Sequence, residues 1–462
     1  MGWYKDISAI LEQESETWLA YLYGQQLENL PHLTKKQPRY RSVIVQVARF
    51  LLHMLRHFSF VQFISVEKPI TFFFYAGSEN QKSSLDKAIE SLRSQGESVV
   101  AVAPSRLIAG TSNNLCYLPL RYNVSDVFRA LVLLARKGPA LYIELKAHHS
   151  PATLWYFGNF CSVYIYLSYF RRVLMNLEAS YVVVSNDHNI YTRCLLAMAH
   201  NLKIKTAYLQ HASVTTIFPA LRVNYAFLDG QSALDTYKKC EPNQPKKQRN
   251  VPLPKVLLTG QKKHLVRENE KKTSAIGVAL NALDDCEEAI RLVRSITEEG
   301  VEVRLRWHPG HGRDQIKKYI GAFRDCHEVA ISDPRKELIS EFFGNIRYLI
   351  AGNSSIHLEA ALAGVKPIYY ELTKPQVSDY YGYVMNGVAV QARSLTDLLK
   401  ILKGGEKGIH INSEAVRYYS ATYMTSWEGR EGELVADCLI NISRGLKPAV
   451  EESDVYNKFI VN

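Results

Sequence analysis

The sequence predicts an α/β protein of two sheet domains, introduced by a helical segment and closed by a helix. Three features carry this expectation. Several unbroken apolar runs have strand length and end in small or polar residues, the form of parallel strands covered by helices on both faces. These runs alternate with helix-length segments, as βα repeats do. Between residues 262 and 272 the alternation gives way to a charged stretch without periodicity, which places a linker there. A chain of 462 residues is also long for one core, so two domains are the natural division.

Composition bounds the function before any motif is read. Hydrophobic residues make up 47% and charged residues 22%, as in a globular rather than a disordered chain. The formal charge of +11 calls for an acidic partner: nucleic acid, an anionic membrane, or a phosphorylated or carboxylated substrate. The seven cysteines are scattered and never spaced as CxxC, which implies neither a disulfide framework nor a zinc site and fits a reducing compartment. The first residues are mixed rather than apolar and do not resemble a signal peptide, so a cytoplasmic location is expected.

Residues 1–65 read as helical and stand outside the βα pattern. Within 42–60, Gln46, Arg49, His53, Arg56 and His57 recur at helical steps, opposite Val43, Ile44, Val47, Phe50, Leu51, Met54, Leu55 and Phe58. Such an amphipathic helix either packs on the body of the protein or lies on an anionic leaflet, and Lys35, Lys36, Arg39 and Arg41 upstream favour the second. Residues 70–75 form a buried strand ending in Ala76-Gly77-Ser78; a helix at 81–95, a strand at 98–103 and a strand at 140–144 continue the first domain. Residues 153–170 carry no charge, but Gly158, Asn159, Ser162, Ser168 and several tyrosines make them too polar for a membrane span, so a buried or acceptor-facing helix is expected.

The strand at 180–185 delivers Asn186-Asp187-His188 to its carboxyl end, where open α/β sheets bind ligands. Asp187 is thus placed for chemistry, or else caps the helix at 191–201. The strand at 206–210 delivers His211, so two successive strand ends offer a group capable of general-base work. Strand 225–228 ends at Asp229-Gly230, residues 238–254 have loop composition, and the short strand 255–260 closes at Gly260.

The second domain opens with a strand at 274–280, a helix at 284–299 and a strand at 302–307, at whose end stand His308-Pro309-Gly310. After a helix at 315–325 and a segment at 329–333, strand 346–351 leads to Gly352-Asn353-Ser354-Ser355 and a helix that Gly364 stops; a strand at 365–371 follows. A last helix at 427–445 is long enough to reach back across the first domain.

A helix beginning at Asn353-Ser354-Ser355 presents free N–H groups, the positive end of its dipole and two hydroxyls, which hold phosphate without a lysine. His308, fixed by Pro309, can donate to a phosphate oxygen and stabilise charge building on a departing nucleotide. Arg304 and Arg306 lie on the strand leading to it. Each feature alone is an ordinary turn or cap. Together, at strand ends of one α/β domain, they point to a transferase with an activated nucleotide donor. The absence of G-x-x-x-x-G-K-[ST] and G-x-G-x-x-G argues against a P-loop NTPase and a dinucleotide dehydrogenase. No Asp-x-Asp pair, carboxylate cluster or zinc-like spacing suggests a bound divalent metal, so metal-independent transfer is expected. The positive charge is spread along the chain without a recognition motif, so no nucleic-acid partner is expected.

Taken in order, Leu209-Gln-His-Ala, Phe227-Leu-Asp-Gly, Leu258-Thr-Gly, Leu305-Arg-Trp-His-Pro and Ala351-Gly-Asn-Ser-Ser-Ile-His-Leu-Glu-Ala resemble the bacterial two-domain GT-B glycosyltransferases of surface-polysaccharide assembly, over residues 69–445. The His-Pro and Ser-Ser pair is similar to the nucleotide-binding motifs of CMP-sugar users, the sialyl-, polysialyl- and Kdo transferases; the CDP-glycerol polymerases of teichoic acid share much of the same order. The resemblance implies two Rossmann-like domains facing across a cleft. Residues 66–262 would form the acceptor and base domain and 263–425 the nucleotide-donor domain, with the helical extension 1–65 before them and the crossing helix 426–462 after. By the same resemblance, His308, Pro309, Gly310, Asn353, Ser354 and Ser355, with Arg306 and Gly260, would hold the donor, and no cofactor beyond a CMP-sugar substrate is implied.

The base would come from the first domain. Asp229 beside Gly230 resembles the acidic base of sialyltransferase-like enzymes, although Leu228 stands where a second acidic residue is usual. His211 resembles the His-Gly of the teichoic polymerases, with Ala212 in place of glycine. Asp187 stands equally by position and is placed first, His211 second. The implied activity is transfer of a nonulosonate or Kdo-type acidic sugar from CMP to a glycan or lipid-linked acceptor, with the anionic inner face of a membrane as a further candidate partner. A CDP-glycerol-type polyol-phosphate transferase and a non-catalytic glycan-binding scaffold are the alternatives.

Overall fold

Phe72–Tyr75, four aromatic residues with no polar face, is stable as a strand only if helices cover both sides, and all four are buried. In the computed structural model, which describes residues 2–24, 26, 42–60, 68–108, 117–243, 254–262, 275–373, 379–405 and 411–448, this strand is β1 of a seven-stranded sheet. Its companions are β2 (Val99–Ala103), β3 (Tyr117–Pro119), β4 (Tyr181–Val184), β5 (Lys205–Leu209), β6 (Tyr225–Leu228) and β7 (Lys255–Leu258). All ladders are parallel, in the order β3-β2-β1-β4-β5-β6-β7. A second parallel sheet has the order β10-β9-β8-β11-β12-β13, from β8 (Ile276–Ala279), β9 (Val303–Arg306), β10 (Val329–Ser332), β11 (Tyr348–Ala351), β12 (Lys366–Tyr369) and β13 (Val390–Gln391). Each order reverses once, between β1 and β4 and between β8 and β11. Those reversals are the topological switch points at which doubly wound sheets leave a crevice.

The helices of the first sheet are α1 (Gly2–Glu14), α2 (Glu16–Leu19), α3 (Val43–Arg56), α4 (Glu79–Ser94), α5 (Val124–His148), α6 (Ser150–Leu177), α7 (Ile190–Asn201) and α8 (Gln231–Lys239). Those of the second are α9 (Cys286–Thr297), α10 (Arg313–Ala322), α11 (Ile339–Gly344), α12 (Ile356–Leu362), α13 (Leu395–Lys403) and α14 (Ser413–Tyr419). The last helix, α15 (Glu431–Ser443), returns to the first unit. The chain divides into one compact unit of Met1–Lys262 with Arg430–Asn462 and another of Lys263–Gly429. Gly432 lets α15 approach α4, because a Cβ there would collide with Lys87, and Gln95 Nε2 donates to Asp437 at 2.8 Å across the same contact.

The charge-free stretch lies within α6, of whose residues eighteen are buried. It is a core helix, and no helix among the described residues is long and apolar enough to cross a membrane. The strand expected at 140–144 is instead part of α5. The buried positions Ala130, Leu133, Gly138, Leu141 and Leu145 keep helical spacing through it, and Pro139 lies within the helix. The short edge strand β3 has no counterpart in the sequence reading, since three residues give no periodicity. The faces of α3 also differ from expectation. Gln46 is buried with Phe50 and Met54, because Gly158 on α6 brings the two backbones together at Gln46, and His53 Nε2 bonds the Tyr122 hydroxyl at 3.1 Å. Ile44, Leu51 and Leu55 face outward. Of the stretch read as a linker, Lys262 is buried; 263–272, like Lys35, Lys36, Arg39 and Arg41, lies outside the described residues.

Gly158→Leu tests the α3–α6 crossing. Leucine raises helix propensity, yet its Cβ meets the Gln46 carbonyl oxygen, so a net loss of about 1–3 kcal/mol is expected in chemical denaturation. A stabilised variant would show that the two backbones do not meet there.

Candidate functional site

The first unit's switch point is filled by its own side chains. The Tyr191 ring covers Gly77, where a Cβ would collide with it. Gln81 links the two strand ends, its Oε1 accepting from Gly77 N–H at 2.8 Å and its Nε2 donating to the Tyr191 hydroxyl at 3.2 Å. Beyond β4, Asn186 Oδ1 accepts from the His188 and Asn189 N–H groups at 3.0 and 2.8 Å and from the Thr192 hydroxyl at 3.3 Å. The Asn186 amide N–H must therefore face His188 Nε2, 2.9 Å away, and that nitrogen is the unprotonated one. His188 Nδ1–H then donates to Asp187 Oδ1 at 3.0 Å.

Asp187 is 5% exposed. Its second oxygen accepts from the Tyr237 hydroxyl at 3.3 Å, and burial with the Asp187 charge pushes the Tyr237 pKa well up, so that hydroxyl keeps its proton. The Asp187 carbonyl accepts from Arg193 Nη1 at 3.1 Å. Asp187 is thus bonded at both carboxyl oxygens and does not cap α7. His211, beyond β5, is half-buried, and its ring stacks on that of His188 with centroids 6.4 Å apart. Asp229, beyond β6, is in a different setting: Lys262 Nζ lies 3.0 Å from its carboxylate and also donates to the carbonyls of Gly260 and Phe227. Gly260 has φ +72°, a conformation that favours glycine, and is the turn that brings Lys262 back to Asp229. The structure joins Asp187 and His211 through His188 and ties Asp229, Lys262 and Gly260 into a buried ion pair.

In the second unit, His308 to His311 form a β-turn closed by His311 N–H to His308 O at 2.9 Å. The His308 N–H donates to His311 Nδ1 at 2.9 Å. Gly310 N–H donates to His308 Nδ1 at 3.0 Å. That nitrogen is therefore an acceptor, and the proton of the neutral ring is on Nε2. Desolvation lowers the His308 pKa, which favours this neutral form. His308, Pro309 and Gly310 are all exposed. His311, the clamp on this turn, stands three residues after His308 in a spacing that suits no zinc site, and its part is structural.

Two strand positions away, past β8, is the loop beyond β11. Asn281 Nδ2 donates to the Asn353 carbonyl at 2.7 Å and joins the β8 and β11 ends. Ser354 and Ser355 are half-buried, and the Ser355 side chain makes no capping bond. The helix they precede, α12, is only seven residues long. Asp284 braces the loops from behind, accepting from Asn281 N–H at 2.6 Å and from the Thr373 hydroxyl at 3.3 Å. Burial pushes its carboxyl up to about 6. Arg306 is engaged within the sheet, donating to Ser332 Oγ at 2.7 Å and to the Glu337 carbonyl at 3.1 Å. Among the described residues no group of three or more His, Cys, Asp or Glu is placed to hold a metal ion.

No family model and no curated protein matches the sequence. Solved structures do match. A UDP-N-acetylglucosamine 2-epimerase is 12% identical with a TM-score of 0.53, covering 84% of this chain and 99% of that one. A putative UDP-N-acetylglucosamine 2-epimerase from Listeria monocytogenes is 11% identical with a TM-score of 0.52, over 86% of this chain and 100% of that one. The UDP-GlcNAc 2-epimerase from Neisseria meningitidis, bound to UDP-GlcNAc, is 10% identical at 0.52, over 80% and 100%. At these identities the likeness establishes the fold: two Rossmann-like units of the GT-B type.

Two substitutions test the wiring. Lys262→Met leaves Asp229 buried without its cation and is expected to cost about 3–5 kcal/mol in unfolding experiments, with Asp229→Asn in the same chain restoring part of it. For Asp284 the folded pKa, about 6, exceeds the ordinary 3.8. The folded state then binds the proton more tightly, and this group's contribution to stability falls as pH rises from about 4 to about 6. At about 1.4 kcal/mol per pH unit the fall is about 3 kcal/mol. Asp284→Asn should therefore gain on the wild type between pH 4 and pH 7; equal pH slopes would contradict the buried carboxyl.

Proposed function

We propose that this chain is a glycosyltransferase that moves an acidic sugar of nonulosonate or Kdo type from a CMP-activated donor to a glycan or lipid-linked acceptor in surface-polysaccharide synthesis, without a metal or other cofactor. The observation that carries it is the state of His308. An exposed neutral imidazole with Nδ1 occupied by Gly310 N–H offers one directed donor, Nε2–H, at a strand end beside the second unit's switch point. Such a donor suits an oxygen of the leaving nucleotide phosphate, on which charge accumulates as the glycosidic bond to the donor breaks. The Asn353-Ser354-Ser355 loop supplies two hydroxyls and backbone groups for the same phosphate. A net charge of +11 suits an anionic donor and an acidic glycan.

The first unit supplies the base. Asp229 is paired with Lys262 and Asp187 is only 5% exposed, whereas the His211 ring is half-buried, so His211 is the better candidate to take the acceptor hydroxyl's proton. The acceptor oxygen then forms the new bond to the anomeric carbon as the CMP oxygen departs.

Thermal unfolding with CMP, CDP, UDP and GDP separates the donors: the right nucleotide at 100 times its dissociation constant stabilises by about 2.7 kcal/mol. A response to UDP alone would sink the CMP assignment and favour a UDP-sugar enzyme, the epimerases included. CMP release from CMP-sugars separates transfer of a sugar from transfer of a polyol phosphate out of CDP-glycerol. His308→Ala should lose the nucleotide response and about 10²-fold or more in turnover. His211→Ala should keep the response and lose about 10²–10⁴-fold in turnover. Full turnover in His308→Ala would refute the donor site, and full turnover in His211→Ala would return the base to Asp187.

A further inference from the structure

The outward side of α3 is as apolar as its buried side. Ile44, Ala48, Leu51 and Leu55 recur at steps of four, three and four and are all exposed, with Leu52 beside them. Ile44 is 81% and Leu55 67% exposed. A helix of a soluble surface would carry polar groups there. The start of α5 repeats the pattern in Val124, Phe128 and Leu131, again at steps of four and three and again exposed.

The two stripes meet at one corner. Phe58 bridges Tyr122, Ser59 N–H donates to the Tyr122 carbonyl at 2.9 Å and Tyr122 N–H to the His57 carbonyl at 2.8 Å. These bonds join the end of α3 to the start of α5, and Phe60, 85% exposed, stands at the junction. Both helices pack on α6.

The charges around this corner have one sign. Arg49 and Arg56 are exposed along one side of the α3 stripe, and α3 contains no acidic residue. Arg121 and Arg106 are exposed close by; Arg106 and Arg56 both act on His57, whose pKa desolvation and then these cations lower. Among the described residues none of these four arginines has an ion-pair partner. The acid at the start of the neighbouring helix, Asp126, is fully buried and bonded to Arg172 at 2.6 Å, and the other acid of that helix, Glu144, lies near its far end.

We infer that the exposed α3 face and the start of α5 form a docking surface for an anionic lipid bilayer, with the apolar stripes entering the headgroup region and the arginines meeting lipid phosphates. An exposed apolar patch of this extent calls for a cover. A second copy of the chain is the poorer cover, because a two-fold contact would set the same arginines against each other. The stripe carries no acid that could answer them. The inference is independent of the transfer reaction.

Co-sedimentation of the full chain with vesicles tests it. Binding is expected to vesicles containing about one-third phosphatidylglycerol, weakening with salt, and not to phosphatidylcholine alone. Leu52→Glu/Leu55→Glu changes exposed positions only and should abolish binding while leaving the thermal midpoint unchanged. Phe128→Glu, on the other helix, should weaken it too. Arg49→Gln and Arg56→Gln should each cost about fivefold in the partition coefficient. Wild-type protein that ignores anionic vesicles, or Leu52→Glu/Leu55→Glu protein that binds as wild type does, would overturn the inference. So would a wild-type dimer that the double variant splits in the absence of vesicle binding.

Discussion

A helix with eighteen of its 28 residues buried must be covered by other elements, and α6 imposes that demand on the first unit. Two of its serines are satisfied locally: Ser162 and Ser168 donate to the carbonyls four residues back, at Gly158 and Tyr164, both at 2.9 Å. The Tyr164 hydroxyl donates to Glu16 at 2.9 Å. Its charges gather near one end, where Arg171 pairs with Asp6 of α1 and Arg172 with Asp126 of α5. Asp126 also closes the capping box at Asn123, so one buried carboxylate fixes the start of α5 and the end of α6 together. The helices α1, α2, α3, α5 and α7 pack against α6 as a consequence. The N-terminal helices described here therefore belong to the first core and are not appended to it.

The same wiring of strands leads to different outcomes at the two switch points. In the first unit Tyr191 over Gly77 fills the crevice, and the titratable groups lie to one side, beyond β4 and β5. In the second, the Asn281–Asn353 bond holds the β8 and β11 ends together while Ser354 and Ser355 keep partly open hydroxyls. Two sheets of equal topology thus divide the proposed labour by which side chains occupy the crevice, a matter of single residues rather than of fold.

What was legible in the sequence follows from what each element needs. Parallel strands such as Phe72–Tyr75 and Tyr348–Ala351 are buried on both faces, so they appear as unbroken apolar runs whose carboxyl ends point to the candidate residues. Residues 140–144 have the same appearance, but their burial partners, Ala130, Leu133 and Leu145, are set by helical spacing outside the run. The α3 sequence shows one stripe of apolar residues and one of polar ones. Only the approach of Gly158 to Gln46 reveals that the helix turns Gln46 and His53 toward the core and Ile44 and Leu55 away from it. Hydrogen-bond commitments are less legible still. Nothing near Arg306 in sequence announces Ser332, and nothing near Asp229 announces Lys262, since both partners arrive through the tertiary fold.

Those commitments also bear on the base. A carboxylate that accepts from both an imidazole and a phenol keeps a lone pair on each oxygen, but at 5% exposure Asp187 leaves little room for an incoming hydroxyl. Asp187 is held by His188 and Tyr237, and the His188 ring lies at 29° to that of His211 with centroids 6.4 Å apart. His188 itself cannot take a proton at Nε2 without turning away from the Asn186 amide. Asp187 thereby fixes the ring that faces His211, whereas a triad carboxylate bonds the imidazole that carries the proton. On the proposed reading Asp187 and His211 are therefore given different parts. The histidine would be the base, and the aspartate the group that positions the ring beside it.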